Sequence, residues 1–431
     1  MKKILTLIGL MIIVACSVMA MTSCDNTDWG EGDGDPSLLE YKLSEDGTYY
    51  IVAGIGDYVG THLVIPEEHN GLPVKEIALD AFYCEAEADE PQERINAILG
   101  IRAVTFPDSI TEMGWTVFRG SNIEQIKFGS GLTEFYEYSF FLQMYKIKEI
   151  NVSKDNQTYM TKDGVLYSKD GKRLILYPVQ KTGEKFRIPN HVETISAAAF
   201  MNSSVKKVKM SNRVTIIEEV AFAETSLEKI KIGNGVEVIE EGAFRNCASL
   251  KKVNMGKNVR AIGEDAFLET KIEKIKIGNK VETIGDYAFM GTSIKEIKIP
   301  DSVKNIGESA FRDCTKLKNV KLGRGLTEIP LGMFYGCESL KKIFIPINIE
   351  KITGLAFVMC DNLTEVFYEG NDKQWNEVYL DMYIHFGIRP EAKYCPVFDE
   401  SSTLYCYSKD RPSGEGNYWR YVFWNPTVWK K

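Results

Sequence analysis

An Ala-Phe dipeptide returns along the chain at nearly constant spacing, and that recurrence restricts the fold more than any other feature of the sequence. Counted at the aromatic residue, the copies are Phe200, Phe222, Phe244, Phe267, Phe289, Phe311, Phe334 and Phe357, with gaps of 22, 22, 23, 22, 22, 23 and 23 residues. Weaker copies at Phe82, Phe118 and Phe140 bring the count to about eleven, with Val117, Ser139 and Met333 replacing the alanine where the pattern departs. A unit of this length carries one apolar strip that it cannot cover alone, so successive units must stack into a solenoid. The 23-residue gaps follow the copies with a cysteine three positions on, at Cys247, Cys314 and Cys337, where one turn residue is gained.

Within the unit that begins at Leu227, apolar residues fall at Leu227, Ile230, Ile232, Val236, Ile239, Ala243 and Phe244. The alternation predicts a short strand at Ile230 to Ile232, followed by a looser turn. Stacked in parallel at about 4.8 Å, eleven such strands make a rod roughly 50 Å long. Ile297-Lys298-Ile299-Pro300-Asp301-Ser302-Val303, then Ile306-Gly307, Ala310-Phe311 and Cys314, closely resemble the BspA-like leucine-rich repeat, and the likeness extends over about residues 38–368. The resemblance implies a repeat solenoid, α/β to mainly β, with short parallel strands. It also implies adhesion, since BspA-like proteins are associated with binding host matrix proteins, host cells or other bacteria.

The ends of such an array expose apolar strips and strand edges, so caps are expected. Residues 38–66, with an Asp46-Gly47 turn, and residues 369–431 are the candidates. Two insertions break the period. Between Phe82 and Phe118 an excess of 14 residues falls around Glu85 to Pro91 and reads as a solvated acidic loop. Between Phe140 and Phe200 the gap is 60, and Gly164 to Ser168 with Lys172 to Tyr177 around Asp170-Gly171 predict a β-hairpin inserted at about residues 151–188.

Lys2 and Lys3, an apolar stretch from Ile4 to Met21, and Thr22-Ser23-Cys24 read as a lipoprotein signal over residues 1–23 with Cys24 as the lipidated residue, although Met21 stands where leucine is usual. The alternative is an uncleaved membrane anchor. Cleavage leaves 408 residues carrying 50 basic against 60 acidic side chains, a mildly acidic chain. Residues 24–37, rich in Asp, Glu and Gly, cannot bury apolar area and are expected to form an extended tether. An acidic segment here resembles the export signal of surface-exposed lipoproteins in anaerobic Gram-negative bacteria, which implies an outer-membrane, lipid-anchored and outward-facing protein.

No catalytic constellation is visible, so an enzyme is not expected. The four histidines are scattered, and H-E-x-x-H, G-x-S-x-G and phosphate-loop motifs are missing. Paired carboxylates at Glu218-Glu219, Glu240-Glu241 and Glu264-Asp265 recur at one repeat position, which marks a solvated face. Cys247, Cys314, Cys337 and Cys360 share a repeat position and read as buried packing, with no metal or cofactor expected. Whether Cys395 and Cys406 pair is open.

One feature exceeds scaffold. The outward strand residue between the two buried ones is Lys209, Lys231, Lys276, Lys298 and Lys321 in successive repeats, with Lys127 earlier and Asn254 interposed, then Phe344 and Phe367. A second column adds Lys207, Lys229, Lys252, Lys274 and Lys342, with Glu228, Glu273 and Glu296 nearby to soften the charge. Like charges in register repel by a few tenths of a kcal/mol per pair. The candidate ligand surface is this column together with the insertions, with the choice between them open, and its partner a protein or an acidic glycan at the cell surface. The overall negative charge argues against nucleic acid. Two other functions fit the sequence. One is a glycan-binding accessory lipoprotein of a nutrient-uptake system, with Trp419, Trp424 and Trp429 as sugar platforms. The other is a structural envelope protein.

Overall fold

The computed structural model describes residues 32–84, 91–135, 143–380, 403–407, 417–422 and 425–428. The chain winds as a β-solenoid of about 13 turns. In the turn that starts at Leu227, Lys229–Lys231 is a strand with only Ile230 buried, Val238–Ile239 is a second with Ile239 buried, and Ala243 and Phe244 close the turn inside the core. Period-2 alternation explains the first strand, because its lysines must point opposite to the isoleucine between them. Three backbone ladders tie the turns together. An outer parallel sheet pairs Lys207, Val208 and Lys209 with Lys229, Ile230 and Lys231, and so on up the rod. A second sheet pairs two-residue strands such as Val238–Ile239 and Ala261–Ile262. The third ladder is made by the repeat itself: the Phe222 amide donates to Ala243 O and the Phe244 amide to Ala266 O, both at 2.8 Å.

That third ladder fixes the aromatic column. From Phe200 to Phe357 the ring centroids of successive turns lie 4.7 to 5.9 Å apart and the rings stay within 18° of parallel. The spacing is close to that of the strands, so each ring covers its counterpart and water is excluded along the axis. Two positions before each of the ten described repeat phenylalanines the backbone is left-handed, with φ from 46° at Val220 to 62° at Leu355, and glycine fills that place only at Gly242 and Gly332. The stack and ladder therefore hold non-glycine residues in a sparsely populated region.

The cysteine column is packing, with a polar duty in addition. Sγ of Cys247, Cys314, Cys337 and Cys360 donates to the phenylalanine carbonyl one turn earlier, at 3.0 to 3.2 Å. Where the cysteine is missing, Thr225 and Thr270 use Oγ1 to bond the phenylalanine carbonyl of their own turn. Burial pushes the Cys247 thiol up to about 11 and Cys360 to about 12, so both stay protonated donors. Cys406 is a buried free thiol, and Cys395 lies outside the described residues.

The structure revises three of the sequence expectations. The long gap before Phe200 holds a further turn of the solenoid as well as a hairpin. Tyr177 occupies the phenylalanine column, its ring 5.0 Å from that of Phe200, and Arg173–Leu176 pairs in parallel with Thr194–Ile195. The hairpin is real, Val165–Ser168 against Arg173–Leu176, and Tyr159–Lys162 adds a third antiparallel strand. Both its faces are buried: Val165, Tyr167 and Leu174 join the core that runs on to Cys406, whereas Leu166, Ile175 and Leu176 join the separate core that begins at Leu39. The meander is a partition between two cores.

The second revision concerns the acidic tether, which is docked from Gly32 onward. The Asp33 carboxylate accepts hydrogen bonds from the amides of Thr61 and His62 at 2.7 and 2.8 Å and from the Thr61 hydroxyl, and Asp35 caps the 3-10 helix Pro36–Leu38. These acids satisfy backbone donors at the open end of the first turns. The third revision is a helix, Gln92–Gly100, that follows the acidic insertion and buries Ile98 in the N-terminal core; residues 85–90 and Phe140 lie outside the described residues. At the ends, Glu40–Leu43 and Tyr50–Gly54 form the expected hairpin, and beyond residue 369 the strand Thr403–Tyr407 extends the outer sheet before the hairpin of Tyr418–Val422 and Asn425–Val428.

Candidate functional site

The outer sheet comes in three segments: one from His62–Val64 to Glu149–Val152, one from Lys185–Arg187 to Lys252–Asn254, and one from Glu296–Lys298 to the C-terminal hairpin. The middle segment carries the charge. Its register is Lys185, Lys207, Lys229, Lys252 in one column and Arg187, Lys209, Lys231, Asn254 in the other. A single bridge carries the first column on to Lys274. Lys185 and Arg187 do not stand out in the sequence, because their strand lies within residues 151–188, which read as the inserted hairpin.

Lys209, Lys231, Lys276 and Lys298 are exposed, and Lys321 is partly so. Among the described residues no carboxylate lies within 4.0 Å of Lys207, Lys209, Lys229, Lys231, Lys252, Lys274, Lys276 or Lys298. Of the acids expected to soften them, Glu273 and Glu296 are engaged elsewhere. The residue just before each strand alternates in sign along the rod, as Glu184, Lys206, Glu228, Lys251, Glu273 and Lys295, and its members pair with each other: Lys206 with Glu184 at 2.5 Å and Lys295 with Glu273 at 2.7 Å. Those bonds hold Glu184 and Glu273 below, and Lys206 above, their ordinary pKa values. Glu296 accepts from Asn319 Nδ2 at 3.1 Å. One column is thus self-neutralised, while the two beside it stay positive.

Phe344 and Phe367 follow Lys298 and Lys321 in register, and there the face changes character. Their rings stack at 4.7 Å, and Phe367 stacks again on Tyr405 at 5.1 Å. Phe367 is only 3% exposed, so its candidate role in ligand contact gives way to packing against the C-terminal strand. Phe344 is half-buried. On the turns before the phenylalanines the acids gather as expected: Glu264 has a raised pKa, from desolvation first and then from Glu241, Asp265 and Asp286. The molecule therefore separates its charge, basic on the middle segment of the outer sheet and acidic at the turns preceding Phe222, Phe244, Phe267, Phe289 and Phe311.

The BspA type leucine rich repeat region matches residues 96–168, 180–295 and 282–379, in six copies. This chain belongs to that family. The BspA-type repeats account for more than half of its length, and the fold agrees with solved leucine-rich repeat structures. A leucine-rich repeat protein from Bacteroides ovatus aligns over 85% of this chain and 98% of its own with a TM-score of 0.52 at 17% identity. A leucine rich cell surface protein from Faecalibacterium prausnitzii aligns over 83% and 100% with a TM-score of 0.43 at 20% identity, and the pneumococcal vaccine antigen PcpA over 81% and 95% with 0.40 at 19%. No curated protein matches the chain. BspA-type repeats form an interaction scaffold, and among the described residues no group of three or more His, Cys, Asp and Glu could hold a metal ion. No helix among the described residues is long and apolar enough to cross a membrane. Cys24 and the rest of residues 1–31 lie outside the described residues.

Proposed function

We propose that this chain is a surface-anchored lipoprotein that binds an acidic macromolecular ligand through the outer sheet, an adhesive role. The observation that carries this reading is the pair of lysine columns without acidic partners on the middle segment. Parallel stacking sets like charges about 4.8 Å apart, which works against the fold by a few tenths of a kcal/mol per pair. A ligand that brings negative charge relieves this repulsion as it binds, and a long rod offers many such contacts at once. The family resemblance to adhesive BspA-like proteins supports the same role. Lys2, Lys3, the apolar stretch to Met21 and Cys24 support a lipid anchor, and the acidic run to Glu31 supports display on the outside of the outer membrane.

Replacing Lys231, Lys276 and Lys298 together by Glu tests the binding face. Folding should survive, since exposed substitutions usually cost within about 0.5 kcal/mol each, while binding to immobilised host matrix proteins and sulfated glycans should collapse. Undiminished binding to every ligand of the parent would sink the reading. For the anchor, Cys24→Ala should release the chain from the membrane fraction. Neutral residues at Asp25, Asp28 and Glu31 should leave it membrane-bound but shielded from protease added to intact cells. Asp33 and Asp35 are excluded from that variant because they hold the first turns together.

A further inference from the structure

The outer sheet is interrupted at one place on the basic face. Between Lys252–Asn254 and Glu296–Lys298 the intervening turn keeps the sequence of a strand, Lys274-Ile275-Lys276, yet on this face it meets its predecessor through the Lys252 to Lys274 bridge and the Glu273 amide, which donates to Lys251 O at 3.3 Å, and forms no strand ladder. The separation continues into the next corner. At Gly233, Gly256 and Gly323 a Cβ would stand 2.3 to 2.4 Å from the carbonyl one turn earlier, but at Gly278 it would stand 3.7 Å from Gly256 O. The other two ladders do not share the gap, because Ala261–Ile262 pairs with Thr283–Ile284 and the Phe267 amide reaches Ala288 O at 2.8 Å. The turns are wedged apart on one side only.

The wedge is a cleft of about 890 Å³ lined by six lysines, Lys251, Lys252, Lys257, Lys274, Lys276 and Lys280. Its one acid, Glu273, is already paired with Lys295, which lies outside the cleft. We propose that this cleft is the anchoring subsite for a sulfated glycan, holding a few of its sugar units while the rest of the polymer runs along the lysine columns. The inference rests on the proposed role of the outer sheet and names the ligand class for it.

Three features favour this occupant over an acidic protein. The volume is in the range of sites that enclose a small ligand, roughly 300 to 1,000 Å³, whereas protein partners are usually held on broad surfaces. No aromatic side chain lines the cleft, so the aromatic and arginine anchors common in protein partners would find no ring to stack on. Its polar groups suit sugars instead: lysine ammonium groups for sulfates, and Asn254 and Asn279 for hydroxyls.

Two variants of equal charge change separate the subsite from the face around it: Lys252→Gln with Lys274→Gln and Lys276→Gln in the cleft, and Lys209→Gln with Lys231→Gln and Lys298→Gln beside it. Affinity of the full-length chain in detergent for a heparin hexasaccharide is measured by calorimetry, with poly-glutamate as the protein-like competitor. Loss of three charged contacts in the cleft should weaken hexasaccharide binding by at least about tenfold, and the second variant should change it by less than about threefold. Both should melt at or above the parent temperature, which excludes misfolding as the cause. Equal losses in the two variants would overturn the subsite and leave the basic face standing. Failure of the parent to bind the hexasaccharide, or no loss in either variant, would overturn the subsite and the sulfated-glycan assignment together. Tighter binding of poly-glutamate than of the hexasaccharide would overturn the ligand class alone.

Discussion

The middle and last segments of the outer sheet use the same strand positions for opposite purposes. In the middle segment the outward residues are, Asn254 apart, cations without an acidic partner, and the face is wet. In the last segment Lys342 pairs with Glu365 at 2.5 Å, and the other column turns aromatic at Phe344, Phe367 and Tyr405. An outward strand position is therefore no guarantee of exposure, because the neighbouring turns decide what covers it. Near the C-terminal hairpin the sheet face becomes packing surface, and only the part away from the ends is free to meet a ligand.

The largest effects should come from the aromatic column that both segments share. Phe244→Ala should cost about 3 to 5 kcal/mol in chemical unfolding, with amide exchange rising first in the adjacent turns. Phe367→Ala should behave like a core substitution too, at roughly 3 kcal/mol, although it sits at a sheet-face position. A cost below about 1 kcal/mol would mean that the last segment is a second wet face, and the contrast would fail.

Smaller effects of opposite sign should distinguish the two kinds of lysine. Lys342→Gln removes a partner from Glu365 and should destabilise by a few tenths of a kcal/mol, while Lys231→Gln relieves repulsion and should stabilise by a similar amount. Equal signs would show that charge pairing does not separate the segments. The smallest effect is local and pH-dependent. Hydrogen bonds from Thr61 and His62 hold the Asp33 pKa below its ordinary 3.8. A lowered acid contributes its stability above the unfolded value and loses it as pH falls through the folded one. Docking of residues 32–39 should accordingly be intact at pH 5 and fray below about pH 4, with faster amide exchange at Thr61 and His62. Asp33→Ala should show the same fraying at neutral pH.

Much of this architecture is legible in the sequence, since the period, the strand alternation and the buried Ala-Phe pairs follow from covering one apolar strip per turn. Tyr177 was hidden because Leu176-Tyr177 lacks the alanine, although it stands 23 residues before Phe200 and so keeps the period. The helix Gln92–Gly100 is masked in the sequence by the acidic stretch ahead of it, which reads as a solvated loop. The wedge could not be read at all: Lys274-Ile275-Lys276 has the same pattern as Lys229-Ile230-Lys231, and the two differ only in whether the backbone closes on its neighbour. Left-handed positions at Val220, Tyr287 and Leu355 are equally silent, because glycine does not mark them. Outward exposure is legible where the array is uniform, at Lys209, Lys231, Lys276 and Lys298, and not where the C-terminal strands cover the face, at Phe367.

The central claim is that the acid-free lysines of the outer sheet touch the ligand. Amine-reactive labelling of the full-length chain, read by mass spectrometry with and without heparin, tests it lysine by lysine. Heparin should protect Lys209, Lys231, Lys252, Lys274, Lys276 and Lys298 and leave Lys172 and Lys351, which stand at strands of the second sheet and already face glutamates, unchanged. Unaltered labelling at the first group, or protection confined to the hairpin around Lys162 and Lys169 or to the C-terminal strands, would contradict it.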